Sequence, residues 1–247
     1  MNLITHFGNY LLMLKGMFTK PENLRMYWKE FVHQAVEIGL GSLPIVVIIS
    51  FFLGAVTTVQ TTYQLVSPLV PLSTIAQIVR DSLLLELSPT VVCVVLAGVA
   101  GSKIASELGN MRVSEQIDAL EIMGVNSLNF LVFPKVIAAV LFFPVLVIFS
   151  MGLSLAGGWI ALVLSNLSST DTYVYGIRYY FEMGNVWYAL TKCIVFGFII
   201  ITISSYYGYY VKGGSLEVGK SSTQAVVSSS VAILIANFLL TQMILLS

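Results

Sequence analysis

Residues 83–105 read LLLELSPTVVCVVLAGVAGSKIA, and residues 106–127 continue SELGNMRVSEQIDALEIMGVNS. The first stretch is apolar over the roughly 20 residues that a helix needs to cross a bilayer. The second is polar yet keeps helical spacing. Val113, Ile117, Leu120 and Met123 share one face, while Glu115, Asp118 and Glu121 lie near one another on another. Ser114 stands where a helix is capped and Gly124 where one ends. A membrane span followed by a short acidic amphipathic helix over about 110–124 is a docking surface for a soluble partner, or more plainly a solvated connector.

Working outward, four more apolar stretches are long enough to span: about 43–66, 134–164, 188–211 and 224–246. Pro44 suits the first turn of the earliest. The stretch 134–164 exceeds one crossing, so it tilts or protrudes. The polar, aromatic segment 165–187 has room for a short helix. Near the start, Leu3, Phe7, Tyr10, Leu11, Leu14 and Phe18 recur at helical spacing among Thr5, His6, Asn9 and Lys15. That pattern fits a helix in the membrane interface, or one packed on the other helices. Lys15, Lys20, Arg25 and Lys29 lie where they would touch headgroups.

Composition agrees. Of 247 residues, 57% are hydrophobic and 10% charged, against about 25% charged in soluble domains. The expected fold is an all-α integral membrane protein: residues 1–247 as one domain, with an interfacial and cytoplasmic segment at 1–40 and a five-span bundle at 43–246. Zero net charge offers nothing to nucleic acid. Cys93 and Cys193 read as small hydrophobes, His6 and His33 have no metal-ligand spacing, and no cleavable signal is expected. Placing the N-terminus in the cytoplasm puts nine basic residues inside and three (Arg80, Arg178 and Lys192) outside. Five spans then leave the C-terminus outside. Tyr206, Tyr207, Tyr209 and Tyr210 fall at the inner end of the fourth span, as an aromatic belt would.

Gly214–Ser221 fits the phosphate-loop pattern G-x-x-x-x-G-K-S letter for letter. Such a loop needs a strand before it and a sheet domain around it, and here spans flank it, so a Gly-rich cytoplasmic turn is expected. Glu86, near the start of the second span, costs about 2.5–3.5 kcal/mol at membrane depth on insertion scales. It therefore either reaches headgroup water or lines a cavity or subunit interface. Thr57, Thr58, Gln60, Thr61 and Thr62 give the outer end of the first span a polar face, and Asn237 adds a polar group to the fifth. Small residues at 97–102 and at Gly152 and 156–158 predict close helix packing. No catalytic constellation is present, and Asn166-Leu167-Ser168 is only a weak sequon match.

Glu86-Leu87-Ser88-Pro89, Ala97-Gly98-Val99-Ala100-Gly101-Ser102, Glu107–Met111, Glu115–Leu120, Met123-Gly124 and Pro134-Lys135 together carry a resemblance, over nearly the whole length of the sequence, to the MlaE (YrbE) permease family. Gly157-Gly158, Gly213-Gly214, Val218-Gly219 and Ala225-Val226-Val227 extend it. It implies a homodimeric permease in the inner membrane of a Gram-negative cell, moving phospholipid between inner and outer membranes and maintaining outer-membrane asymmetry. The implied partners are a cytoplasmic ABC ATPase holding ATP and Mg²⁺, a periplasmic Mce-domain protein and, as in some members, a STAS-domain subunit. This chain would hold no cofactor and catalyse nothing.

The resemblance further implies a lipid cavity at the dimer interface between the first, second and fifth spans. Glu86, Thr57, Gln60, Tyr63 and Asn237 are its candidate residues, and Glu115, Gln116, Asp118, Leu120 and Met123 are the candidate ATPase contacts. Leu85 and Val99 stand where the family often has Arg, which reduces the basic groups expected near Glu86. Two rival classes remain: a secondary transporter or channel without an ATPase, and a lipid-modifying membrane enzyme.

Overall fold

The computed structural model describes residues 3–18, 24–65, 71–165 and 169–245, and all regular structure among them is helical. Lys20 and the sequon-like Asn166–Ser168 lie outside the described residues. Ten α-helices follow one another: α1 Leu3–Met17, α2 Leu24–Gln64, α3 Leu72–Ser82, α4 Val92–Leu96, α5 Ser102–Val113, α6 Gln116–Ile122, α7 Ser127–Leu164, α8 Thr170–Arg178, α9 Met183–Tyr209 and α10 Ser215–Leu245. Wider π-helical turns, Leu83–Val91 and Ala97–Gly101, join α3 to α4 and α4 to α5. Among the described residues, five helical stretches are long and apolar enough to cross a membrane.

The helices overrun the hydropathy boundaries. α2 has 41 residues, about 60 Å at 1.5 Å per residue, against about 30 Å of hydrocarbon. It starts at Leu24, so Pro44 is interior rather than in a first turn, and residues 24–42 are not a separate interfacial segment. Hydropathy misses this part because Lys29, Glu30, His33 and Glu37 are polar while the backbone stays helical. The second span likewise reaches from Ser73 to Val113, and the third begins at Ser127. The fifth begins at Ser215. Leu216–Ser221 is therefore helix rather than an open turn, with no loop of N–H groups to cradle a phosphate.

The chain forms two compact units. One comprises Met1–Ser42, Cys93–Phe143 and Ile194–Ser247; the other comprises Leu43–Val92 and Pro144–Cys193. In the first unit, α1 packs on α9: His6 Nδ1 and Tyr206 Oη are 2.8 Å apart, and Tyr10 Oη and Thr202 Oγ1 2.9 Å. Asn129 Nδ2 donates to the Met17 carbonyl at the end of α1 (2.6 Å), satisfying a terminal acceptor. Met13 and Met17 are buried while Phe7, Leu11 and Leu12 stay exposed, so α1 has a protein face and an outward apolar face. Two of the four belt tyrosines, Tyr206 and Tyr209, are buried in protein contacts. Lys135, fully buried, donates to both oxygens of Glu107 at 2.8 Å.

In the second unit, α2 and α7 meet backbone to backbone. A Cβ on Gly54 would lie 1.8 Å from the Ser154 carbonyl oxygen, and one on Gly157 would lie 2.2 Å from that of Phe51. Ser50 Oγ donates to Ser150 Oγ (2.8 Å) beside this contact. Ile75, Val79 and Leu83 form a core with Leu53 and Leu155. Arg80, nearly buried, donates to the carbonyls of Ile177 and Tyr179 at 2.8 and 2.7 Å, and so holds the turn after α8. Small residues do not all pack tightly: Gly98 and Gly152 have nothing within 4 Å of a built Cβ.

This geometry sets a contrast. Gly54→Ala and Gly157→Ala force backbones apart and should cost at least the 1–3 kcal/mol typical of overpacking, about that range or more. Gly98→Ala should be near neutral. Thermal unfolding of the detergent-solubilised variants checks this; equal melting temperatures for all three would refute the close-contact account.

Candidate functional site

Glu86 sits in the π-helical turn Leu83–Val91, between the start of that turn and Pro89. Pro89 has no N–H to offer the Leu85 carbonyl four residues back, and its ring crowds that oxygen. A π turn relieves the crowding, as proline-bearing membrane helices commonly do. Lys192 of α9 fills the space. Its Nζ lies 2.6 Å from Glu86 Oε1, 3.4 Å from the Leu85 carbonyl and 4.3 Å from the Tyr188 ring centroid. The Lys192 side chain is 0% exposed and that of Glu86 41% exposed. Thr90 Oγ1 donates to the other carboxylate oxygen at 3.3 Å.

Leu85 and Val99 stand where the family often has Arg, which reduces the basic groups expected near Glu86; the structure adds one that this expectation did not include, a cation from a different span. Lys192 was visible in the sequence as a lone charge in the fourth apolar run. Counting it among the charges of a segment outside the spans hid that it lies within α9, as Glu86 lies within the second span. Charges inside a membrane segment pair with one another, and that rule joins the two.

The threonines of α2 satisfy themselves. Thr57, Thr58, Thr61 and Thr62 donate to the carbonyls four residues back at 2.6–2.8 Å. Thr58 and Thr62 are buried and Thr57 is half-buried, while Gln60 and Tyr63 are exposed. The polar face is thus partly internal packing. Thr57, Gln60, Tyr63 and Glu86 belong to one unit and Asn237 to the other. Asn237 is half-buried on α10.

The acidic connector is shorter than expected. Residues up to Val113 continue α5, so the separate helix is Gln116–Ile122 rather than 110–124. Ser114 does not cap it: its hydroxyl donates back to the Asn110 carbonyl (2.7 Å), and Glu115 holds the cap position at φ 61°. Gly124, at φ 82°, does end the helix. Its N–H bonds the Glu121 carbonyl and that of Val125 the Leu120 carbonyl, the paired closure typical of a helix C-terminus. The break at 114–115 also undoes the predicted apolar face: Ile117 is buried, Val113 and Met123 are exposed, and Leu120 is half-buried.

The acidic residues divide. Asp118 pairs with Arg112 (2.6 Å). Glu121 accepts from Ser127 Oγ and Tyr209 Oη, both at 2.8 Å, tying α6 to the end of α9. Those bonds, Ser127 first, hold its carboxyl below the ordinary range. Glu115 and Gln116 remain exposed, as do Ile122 at 87% and Met123 at 68%. Ile122, the most exposed of these, was missed because an unbroken helix would have placed it off the apolar face.

Comparison with known proteins completes the picture. The family model described as permease MlaE matches residues 31–243. A probable ABC transporter permease protein of Rickettsia bellii is 41% identical over 241 residues, spanning 98% of this chain and 93% of its own. A protein of the same description from Synechocystis is 34% identical over 94% of this chain and 84% of its own. The chloroplastic protein TRIGALACTOSYLDIACYLGLYCEROL 1 of Arabidopsis thaliana is 34% identical over 87% of this chain and 61% of its own.

Two outcomes follow from the site geometry. Glu86→Gln strands a fully buried cation, which costs about 3 kcal/mol or more, whereas Lys192→Met leaves a carboxylate that protein encloses only in part. The first variant should melt lower, and the double variant should resemble Lys192→Met; equal losses from the two single changes would contradict the pairing. For Glu121, a depressed folded pKa means its contribution is complete above the ordinary value of 4.5 and is lost as pH falls through the lowered value. Protection from hydrogen exchange over residues 116–123, relative to the intrinsic rate at each pH, should therefore fall in acid, and Glu121→Gln should show that lower protection already at neutral pH.

Proposed function

This chain belongs to the MlaE permease family and is the membrane-spanning subunit, not the ATPase, of an ABC transporter; on that premise we propose that it moves phospholipid between two membranes. The observation that carries the reading is the Glu86–Lys192 pair. A carboxylate held within a membrane-spanning helix by a buried lysine, yet 41% exposed, offers a lipid headgroup a polar foothold where water is scarce. Ile48, Phe52, Val56 and Tyr63 leave an outward apolar stripe along α2, which suits acyl chains or a second copy. The Arabidopsis relative carries the name of a galactosylated glycerolipid, in keeping with a lipid substrate.

In this reading two copies enclose the lipid cavity, in the inner membrane of a Gram-negative cell. The N-terminus faces the cytoplasm and the C-terminus the periplasm. A permease of this class works with an ATPase subunit, and here the turn at Glu115 and helix α6 receive it. Glu115, Gln116, Ile122 and Met123 are the exposed contacts; Asp118 and Leu120 shape the helix, the former through Arg112. ATP and Mg²⁺ reside in the ATPase, and closure of its dimer pushes α6. Tyr209 passes that push to α9 through Glu121. A periplasmic Mce-domain protein, and in some assemblies a STAS-domain subunit, complete the machine. Outer-membrane asymmetry is its product.

Co-reconstitution with the ATPase in vesicles tests this reading. ATP-dependent transfer of labelled phospholipid should appear, and should fall at least ten-fold in Glu86→Gln. Ile122→Asp with Met123→Asp should abolish ATPase capture by the permease while leaving its melting temperature unchanged. ATPase capture undiminished in that double variant would remove α6 from the docking role.

A further inference from the structure

The first unit holds a cavity of about 550 Å³ that the transport reading does not use. Its walls come from α1, the end of α9 and the first turns of α10, and among its lining residues are His6, Tyr206, Tyr210, Lys212, Glu217 and Lys220. The helices fix its polar groups. His6 and Tyr206 are bonded to one another at 2.8 Å, and the Tyr206 and Tyr210 rings lie 5.2 Å apart. Gly213, at φ 121°, makes the turn that sets Lys212 ahead of α10, a conformation glycine adopts freely.

The charge balance names the ligand. Lys220 Nζ is 2.6 Å from Glu217 Oε1, which cancels one charge of each sign. Lys212 forms no ion pair with any described residue, leaving one uncompensated positive charge. The start of the 31-residue α10 adds the partial positive charge of a helix N-terminus. Beside the cavity, α1 turns Phe7, Leu11 and Leu12 outward at 63, 48 and 65% exposure, apolar surface that suits acyl chains. A ligand with one negative charge and an apolar body fits both features.

We propose that this cavity binds the phosphodiester of an acidic glycerophospholipid from the leaflet on which α1 lies, as a second lipid site separate from Glu86 and Lys192. Lys212 and Lys220 face the phosphate, and the Tyr206 and Tyr210 rings cover the glycerol. The site would hold lipid on the side where the ATPase acts.

The full chain in nanodiscs of phosphatidylcholine with a minor share of phosphatidylglycerol tests this. After detergent extraction, co-purifying lipid is measured by mass spectrometry. The wild type should retain phosphatidylglycerol in preference to phosphatidylcholine, and Lys212→Gln with Lys220→Gln should lose that enrichment on the order of ten-fold. Lys15→Gln with Lys29→Gln removes the same charge from exposed positions elsewhere and should keep it. Equal losses in the two double variants would reduce the effect to general surface charge and overturn the site, as would full retention in the first. Displacement of the lipid by millimolar inorganic phosphate would assign the cavity to a soluble anion and overturn the lipid assignment. All three outcomes concern retention, so they stand apart from the transfer assay that judges Glu86.

Discussion

Inside a bilayer no water is available to accept or donate a hydrogen bond, and every polar group must find its partner within the protein. That constraint makes the chain helical, and it also decides what its polar side chains do. Four threonines in α2 bond the carbonyls of their own helix. Ser50 finds Ser150, and Lys192 finds Glu86. Pro89 breaks the pattern by withholding an N–H. The answer is a widened turn that brings Lys192 Nζ to the Leu85 carbonyl as well as to the carboxylate. Backbone irregularity and intramembrane charge are thus one feature, because the lysine serves both.

Close helix approach is the second consequence. Lipid is as apolar as the side chains, so helices gain little by hiding leucines from it and associate through tight packing. Gly54 and Gly157 let α2 and α7 touch along their backbones. In the other unit, Gly208 sits against the Ala105 carbonyl and Gly101 against Ser204. The outward face of α10 has no such contact and stays apolar through Val227, Val231, Leu234 and Phe238, in keeping with lipid or a second copy beside it.

The connector between α5 and α7 shows how a short segment becomes a handle. Glu115, at positive φ, turns the chain, and Gly124 closes α6. Three side-chain ties then hold the seven-residue helix: Arg112 to Asp118 within the connector, and Ser127 of α7 and Tyr209 of α9 to Glu121. A helix this short has little stability of its own, so its position follows the residues that anchor it. Those same anchors are what would carry a displacement of α6 into α9.

How far the sequence was legible follows from the range of each interaction. The apolar runs, the polar helix between the second and third spans and its end at Gly124 depend on neighbours within a few residues, and they could be read from the chain alone. The family followed too, because motifs around Glu86 and Glu115 are local patterns. The ends of the spans could not be read, since Lys29, Glu37 and Ser215 are polar and still helical once neighbouring helices support them. Lys192 as the partner of Glu86 is 106 residues away in sequence, and Tyr209 as the anchor of Glu121 is 88 away. Local patterning determined that this is a bundle of membrane-crossing helices with a short polar helix between the second and third spans. Only the packed structure decided which charges meet, because pairing across helices depends on depth and rotation that periodicity does not encode.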